Sequence, residues 1–425
     1  MRIRHALVAT GLVLAACALL FARHANAQEA PAPPSTLSLA DALAAARDNL
    51  DVRLAGRAAA AAQADIAAAD HAPLPQLSAK LSQIDLQNGI GPGNAWSAKR
   101  IDKGVGVDWT WERGDKRALR TEAARRAAGA AVADVDTLRL QQQLAAHAAF
   151  FDLLAAQGRA EALAAIARGA GETAAVLAAR QRSGDIALQD AARAEIEAAR
   201  AKTDAETAGL DVQRAQLALA ALLGRPAAGL VARADWPALP GAPTAVDETL
   251  IDRRADLRAA GERVHAAQAA ADGASALRKT DVTWGASLDH IPGTSTRQLE
   301  LRLSLPLAFG YRYEGETGRA QAQLAQAHDA LEKTRLSARL DLQRLQAELA
   351  AAALRWQRHE TEITPRAREV AERAELAYRK GALPLTDLLD ARRTLRAVLL
   401  DALAARTELA KASGAWALQT AAEQP

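Results

Sequence analysis

The chain has 425 residues, with 53 basic and 50 acidic side chains, an excess of three that is too small to form a nucleic-acid surface. It is 50% hydrophobic but only 3% aromatic, and Ala, Arg, Leu, Glu and Gln dominate. That is the composition of long, closely packed helices rather than of two or three globular domains. Its one cysteine, Cys17, lies near the N-terminus, which excludes a disulfide framework and a thiolate metal site in the rest of the chain.

Arg2 and Arg4 precede an apolar run, Ala6–Ala22, and the small residues Ala25 and Ala27 follow it. This is the pattern of a secretory signal peptide over residues 1–27. The run LAAC, Leu14–Cys17, also resembles a lipoprotein box, so lipidation of Cys17 and cleavage after Ala27 both stand as processing routes. Residues 1–27 hold three arginines and no acid, which leaves 50 basic and 50 acidic residues beyond them. No later stretch reads as the ~18 apolar residues of a membrane helix.

The remainder reads as one unit repeated: a first copy over 28–225, a linker over 226–245 and a second copy over 246–425. Each copy runs helix, two strands, two long helices. The strands are QLSAKLS (76–82) and VGVDWTW (105–111) in the first copy, and DVTWGASLD (281–289) and LRLSLPLAF (301–309) in the second. All four alternate apolar and polar residues with period two, which predicts strands with one apolar and one polar face. Proline-free stretches follow at Gly114–Ser183, Asp185–Arg225, Gly310–Thr364 and Leu385–Ala422, with apolar residues at three- and four-residue spacing. At 1.5 Å per residue the first could reach roughly 100 Å, too long for a compact ball and suited to a coiled coil or helical barrel. Each long helix breaks at a Gly followed six residues later by an Asp: Gly184 and Asp190, then Gly381 and Asp387, 197 residues on.

Seven of the 14 aromatic residues, Trp96, Trp109, Trp111, Trp284, Phe309, Tyr311 and Tyr313, lie in or beside the strands. They fit either the core of a small sheet or a girdle at a lipid–water interface, and the signal peptide with the four alternating strands favours the girdle. Four strands cannot close a barrel and open edges are not tolerated in lipid, so spanning requires several chains. Two chains give eight strands and a filled interior; three give twelve and room for a lumen.

With the duplicated topology and both Gly-x5-Asp breaks, the run YRKGALPLTDLLDARRTL (378–395) resembles the TolC-type outer-membrane efflux factors. The resemblance implies a mixed α and β fold: a long-helix coiled-coil α-barrel in the periplasm and four transmembrane strands per chain, closed into a 12-stranded barrel by a homotrimer in outer-membrane lipid. It implies two partners, a periplasmic membrane-fusion adaptor and an inner-membrane RND-type pump. WERGDKRALR (111–120) and LSLPLAFGYRYEGE (303–316) are similar to the branch serving heavy-metal (cobalt–zinc–cadmium type) efflux, with Asp115 where that branch has a second Gly. Drug or other solute systems remain the alternative.

The same resemblance implies adaptor docking at the helix tips, Ser183, Gly184 and Asp185 in one and Gly381, Ala382, Leu383 and Pro384 in the other. It implies a pore gate at Asp387 and Asp390 with Tyr378. Leu383 departs from better-known members, which carry an Arg there. Read without the resemblance, Asp387 and Asp390 are acids near a helix N-terminus, where the dipole favours them. His147, His265, His290, His328 and His359 are scattered without metal-ligand spacing, and no nucleophile motif or phosphate loop occurs. The expectation is a passive duct with no cofactor, no metal and no catalytic residue. The competing class is a soluble periplasmic coiled-coil scaffold.

Overall fold

A computed structural model describes residues 35–82, 87, 101–241, 248–291 and 295–420. The signal segment, Cys17 and Trp96 lie outside the described residues. In chain order the elements are β1 (Ser35–Leu37), α1 (Leu39–Arg47), α2 (Leu50–Ala69), β2 (Gln76–Ser82), β3 (Asp102–Trp111), α3 (Lys116–Arg182), α4 (Leu188–Leu223), β4 (Leu230–Ala232), α5 (Glu248–Asp252), α6 (Ala255–Ala276), β5 (Val282–Ile291), β6 (Ser295–Ser304), α7 (Glu314–Arg358), a π-turn (His359–Ile363), α8 (Thr364–Arg379) and α9 (Leu385–Thr420). The chain forms two compact units, and each draws segments from both halves of the sequence.

One unit takes the residues up to Ala46 with Gln143–Gly241 and Ala351–Ala415. Its core sets Phe150, Phe151 and Leu153 of α3 against Leu219 and Leu223 of α4, Leu37, Leu230 and Ala410. Each large side chain buried there contributes roughly 1.5–3 kcal/mol. β1 and β4 pair in parallel, Ser35 to Leu230 and Leu37 to Ala232. β4 lies within the stretch expected as a linker, and these two three-residue strands are too short to leave a period in the sequence. The Arg406 guanidinium sits between two indoles, 5.2 Å from the ring centroids of Trp236 and Trp356, which fixes that segment to the helices.

The other unit takes Arg47–Gln142, Ala242–Ala350 and the residues from Trp416. Asn49 caps α2, accepting the Val52 N–H at 3.0 Å and donating to Gln142 at 2.9 Å. Its small cores are alanine-rich: Val52 and Ala59 with Val135, and Ile251 and Leu257 with Ala338 and Leu342. It also contains a four-stranded sheet, order β2-β3-β5-β6, antiparallel throughout.

Two expectations are corrected. The alternation through Phe309 does not carry the last strand that far. β6 ends at Ser304, two residues before Pro306, which has no N–H to offer a ladder. Finally, α3 is long and apolar enough, by length and composition, to cross a membrane. Alanine supplies much of the apolar count in this helix, and its methyl carries far less transfer energy than a leucine or phenylalanine side chain. Beyond these, α7 runs on through Pro365 into α8 by way of the π-turn. There the Thr364 N–H reaches back to the His359 carbonyl, and the wider turn accommodates a residue that an α-helix interior rejects.

Candidate functional site

The sheet is inside out by the standards of a soluble protein. On one face Val105, Val107, Trp109 and Trp111 of β3 stand beside Leu288, Ala286, Trp284 and Val282 of β5, and Leu299, Leu301 and Leu303 of β6 continue the rows. Eleven large apolar side chains of the four strands are 46–77% exposed. Half-covering eleven such residues forgoes roughly 10 kcal/mol, as much as the entire stability of an ordinary domain. A contiguous apolar face of this kind marks an interaction or membrane surface.

The opposite face is polar and low. Asp108 and Arg302 meet at 2.9 Å across Gly285, and Asp289 lies over Gly104, where a Cβ would stand 2.0 Å from its Oδ1. Ser78 and Ser287 flank Gly106 in the same manner. Glycine here leaves room for charged side chains to lie flat across neighbouring strands.

Two turns join strands to long helices, and both use the left-handed region. Gly114 and Asp115 (φ 80° and 58°) precede α3; Gly310 and Tyr313 (φ 80° and 61°) precede α7. This accounts for Asp115 in place of glycine, since Asp tolerates that region better than most residues. The charged residues of WERGDKRALR that follow the turn are engaged locally. Lys116 pairs with Asp281 at 2.7 Å, Arg117 with Asp70 at 3.1 Å and Arg120 with Glu112 at 2.9 Å, while Arg120 also donates to the Ala69 and His71 carbonyls. The motif clamps the start of α3 to the end of α2 and the edge of β5. Of the interface aromatics, Trp109, Trp111, Trp284, Phe309 and Tyr311 are exposed; Tyr313 is half-buried with its ring 5.9 Å from that of Tyr311.

In the other unit the two helix breaks have one geometry. At the first, the Gly184 N–H bonds the Gln181 carbonyl and the Asp185 N–H the Arg180 carbonyl; at the second, Gly381 bonds Tyr378 and Ala382 bonds Ala377. Both are Schellman caps, with Gly184 and Gly381 at φ 83° and 74°. Ser183 adds side-chain bonds to the Arg180 carbonyl and Asp185, each at 3.0 Å. Leu385, Leu388 and Leu389 pack on Ala174, Leu177 and Ala194, and Tyr378 rests against that cluster. Ala382 and Pro384 are exposed and Leu383 is half-buried.

Asp387 and Asp390 are both exposed and share a face of α9. They are not equivalent. Asp387 occupies the third helical position, as Asp190 does in α4, so the helix dipole explains both. Asp390 lies a turn further on, nine residues past Gly381. The residue nine past Gly184 is Arg193 rather than an acid.

Sequence reasoning missed three arginines of α9. Arg392 donates to Thr173 at 3.0 Å and Glu375 at 3.3 Å, Arg393 pairs with Glu197 at 2.6 Å, and Arg396 pairs with Asp204. They tie α9 to α3, α8 and α4 around a cavity of about 220 Å³ lined by Ile166, Thr173, Glu197, Leu389 and Leu399. Their spacing of one and three residues was visible, but their partners lie up to 219 residues away. No group of three His, Cys, Asp or Glu is placed to hold a metal among the described residues.

Residues 247–419 match the outer membrane efflux protein family. That stretch contains β5, β6, the second turn, the second tip and both Asp387 and Asp390. No curated protein matches the chain in sequence. The fold is that of solved outer membrane channels. The CmeC outer membrane channel of Campylobacter jejuni is similar at a TM-score of 0.78 and 15% identity, over 90% of this chain and 85% of that one. The open state of the MtrE outer membrane channel of Neisseria gonorrhoeae gives 0.73 and 20%, over 90% and 88%. VceC, an outer membrane protein of Vibrio cholerae, gives 0.72 and 19%, over 90% and 95%.

Proposed function

We propose that the chain is one protomer of a trimeric outer-membrane efflux channel: a passive exit duct that receives substrate from an inner-membrane pump through a periplasmic adaptor. The observation that carries this reading is the outward apolar sheet. Its two edge strands, β2 and β6, need partners in lipid, and neighbouring copies supply them. Twelve strands from three copies would turn the polar Asp108, Arg302, Asp289 face toward a lumen. The helices form the periplasmic barrel, the tips around Gly184 and Gly381 meet the adaptor, and Asp387 and Asp390 ring the constriction beside Tyr378. No side chain is assigned a catalytic role.

Metal cations are the proposed substrate, on the strength of WERGDKRALR and LSLPLAFGYRYEGE. A deletion strain should become sensitive to cobalt, zinc or cadmium salts; sensitivity to organic drugs alone would move the chain to the other branch. The channel reading is tested by fractionation and cross-linking. The protein should stay with outer membranes in carbonate and cross-link as a trimer. Recovery as a carbonate-soluble periplasmic protein would overturn it in favour of a coiled-coil scaffold.

A further inference from the structure

We propose that the helix-side rim of the sheet is a docking surface for the phosphate groups of anionic phospholipids. The inference rests on the reading of the apolar face as lipid-facing and adds the headgroup chemistry at its border.

Four exposed cations stand at this rim: Arg113 after β3, Arg278 and Lys279 before β5, and Arg312 before α7. None of their side chains forms an ion pair among the described residues. The other cations of the first turn do: Lys116, Arg117 and Arg120 are held by Asp281, Asp70 and Glu112. The acids are occupied too. Besides those three, Glu316 accepts from the Tyr311 hydroxyl and Glu314 from the Arg312 N–H. Among the described residues of the two turns, Asp115 alone is an acid without a partner. Hydrogen bonds from neutral donors leave Glu314 and Glu316 charged, so the rim carries four positive charges outside any ion pair against three negative ones, Asp115, Glu314 and Glu316.

The cations are placed together. The aliphatic stem of Lys279 crosses Gly114, where a Cβ would come within 2.6 Å of its Cδ, which sets Lys279 beside the turn that carries Arg113. Val282 pairs with Trp111, so the segments bearing Lys279 and Arg113 leave adjacent strands. Glu314 is held below the usual carboxylate range, first by the N–H groups of Arg312 and Glu314 and then by the Arg278 and Arg312 charges.

Each of the two turns also carries exposed aromatic rings just before its cation, Trp111 before Arg113, and Phe309 and Tyr311 before Arg312. Aromatic rings settle at the headgroup level of a bilayer, and basic side chains immediately beyond them meet the phosphates. A soluble anion would use the charges but leave the rings in water; a phospholipid covers both.

The test reads the tryptophans of the sheet. The full chain is reconstituted in phosphatidylcholine vesicles containing phosphatidylglycerol, with brominated acyl chains on one lipid at a time. With Trp96 replaced by Phe, Trp109, Trp111 and Trp284 report quenching, and Trp236, Trp356 and Trp416, outside the sheet, give the background. Both lipids should quench. Brominated phosphatidylglycerol should quench at lower mole fraction, by about five-fold per engaged cation at low salt. That preference should vanish at high salt and in the Arg113→Gln, Arg278→Gln, Lys279→Gln, Arg312→Gln variant, whose quenching by phosphatidylcholine stays normal. Equal quenching by the two lipids in the chain with all four cations overturns the rim proposal and leaves the lipid-facing sheet intact. A preference that survives in the four-residue variant also overturns it. Absence of quenching by either lipid overturns the underlying reading of the sheet.

Discussion

Acid should weaken the helical unit through one side chain, His147. It is 5% exposed, with its ring 4.9 Å from that of Phe151. On its other side it lies against Gly414, so close that a Cβ there would stand 1.9 Å from Nε2. Burial first, and the Lys411 charge second, lower its pKa from 6.5 to about 4. A histidine that is harder to protonate when folded binds protons preferentially when unfolded. Its contribution is therefore intact above about pH 6.5, is lost as pH falls toward 4, and changes no further below that. The lowered value corresponds to at most about 3 kcal/mol over this window. Urea unfolding of detergent-solubilised protein, followed by helical circular dichroism at pH 7, 5.5 and 4.5, measures it. The native protein should lose stability steadily and His147→Gln should lose much less, since carboxylates common to both act mainly at the acid end. Parallel loss in the two proteins across this range would refute the argument. The same contact makes a second arm. Gly414→Ala forces a methyl into a ring already pinned by Phe151, a cost of about 1–3 kcal/mol, and His147→Ala should rescue it.

Three further outcomes are expected. Gly184→Val and Gly381→Val place a β-branched residue at positive φ, about 1–3 kcal/mol of strain each, and should abolish cross-linking to the adaptor while the trimer persists; undiminished cross-linking in both would count against the tips as the docking site. Asp115→Gly should raise stability by up to about 1 kcal/mol and Asp115→Val lower it by at least as much, read as shifts in the denaturation midpoint. In planar bilayers the Asp387→Asn, Asp390→Asn double variant should lose cation preference and divalent-cation block while still forming trimers; unchanged selectivity in it would remove both residues from the gate.

Periodicity made most of the fold legible. Alternation in Val105–Trp111 and Val282–Leu288 marked both the strands and the face that is exposed, because a side chain on a pleated strand has only two directions to point. The tips were legible because Gly184 and Gly381 each close a long helix and only glycine enters positive φ freely. What was hidden has physical reasons as well. Leu305, Leu307 and Phe309 keep the strand period, yet ladder pairing stops at Ser304, since pattern does not report a missing N–H at Pro306. The Arg392, Arg393 and Arg396 contacts depend on partners far away in sequence, which no local pattern encodes.

The proposed duplication makes each half of the chain a control for the other. Features that recur in both halves answer to geometry: a positive-φ residue before each long helix, Asp115 and Tyr313; a Schellman glycine after it, Gly184 and Gly381; an acid at the third position of the returning helix, Asp190 and Asp387. They serve entry into and exit from a long helix, whatever the protein transports. Features present in one half only are not required by that geometry. The π-turn at His359–Ile363, the arginines of α9 bound to Thr173, Glu197 and Asp204, and Asp390 in the register where the first half has Arg193 all belong to the second half. The asymmetry gathers on the helices that lead into and out of the second tip. A trimer with two identical hairpins per chain would have no reason to open one rather than the other. Among the described residues, the one π-turn and the α9 arginines with distant partners both lie in the second hairpin, so that is where the two halves depart from one another.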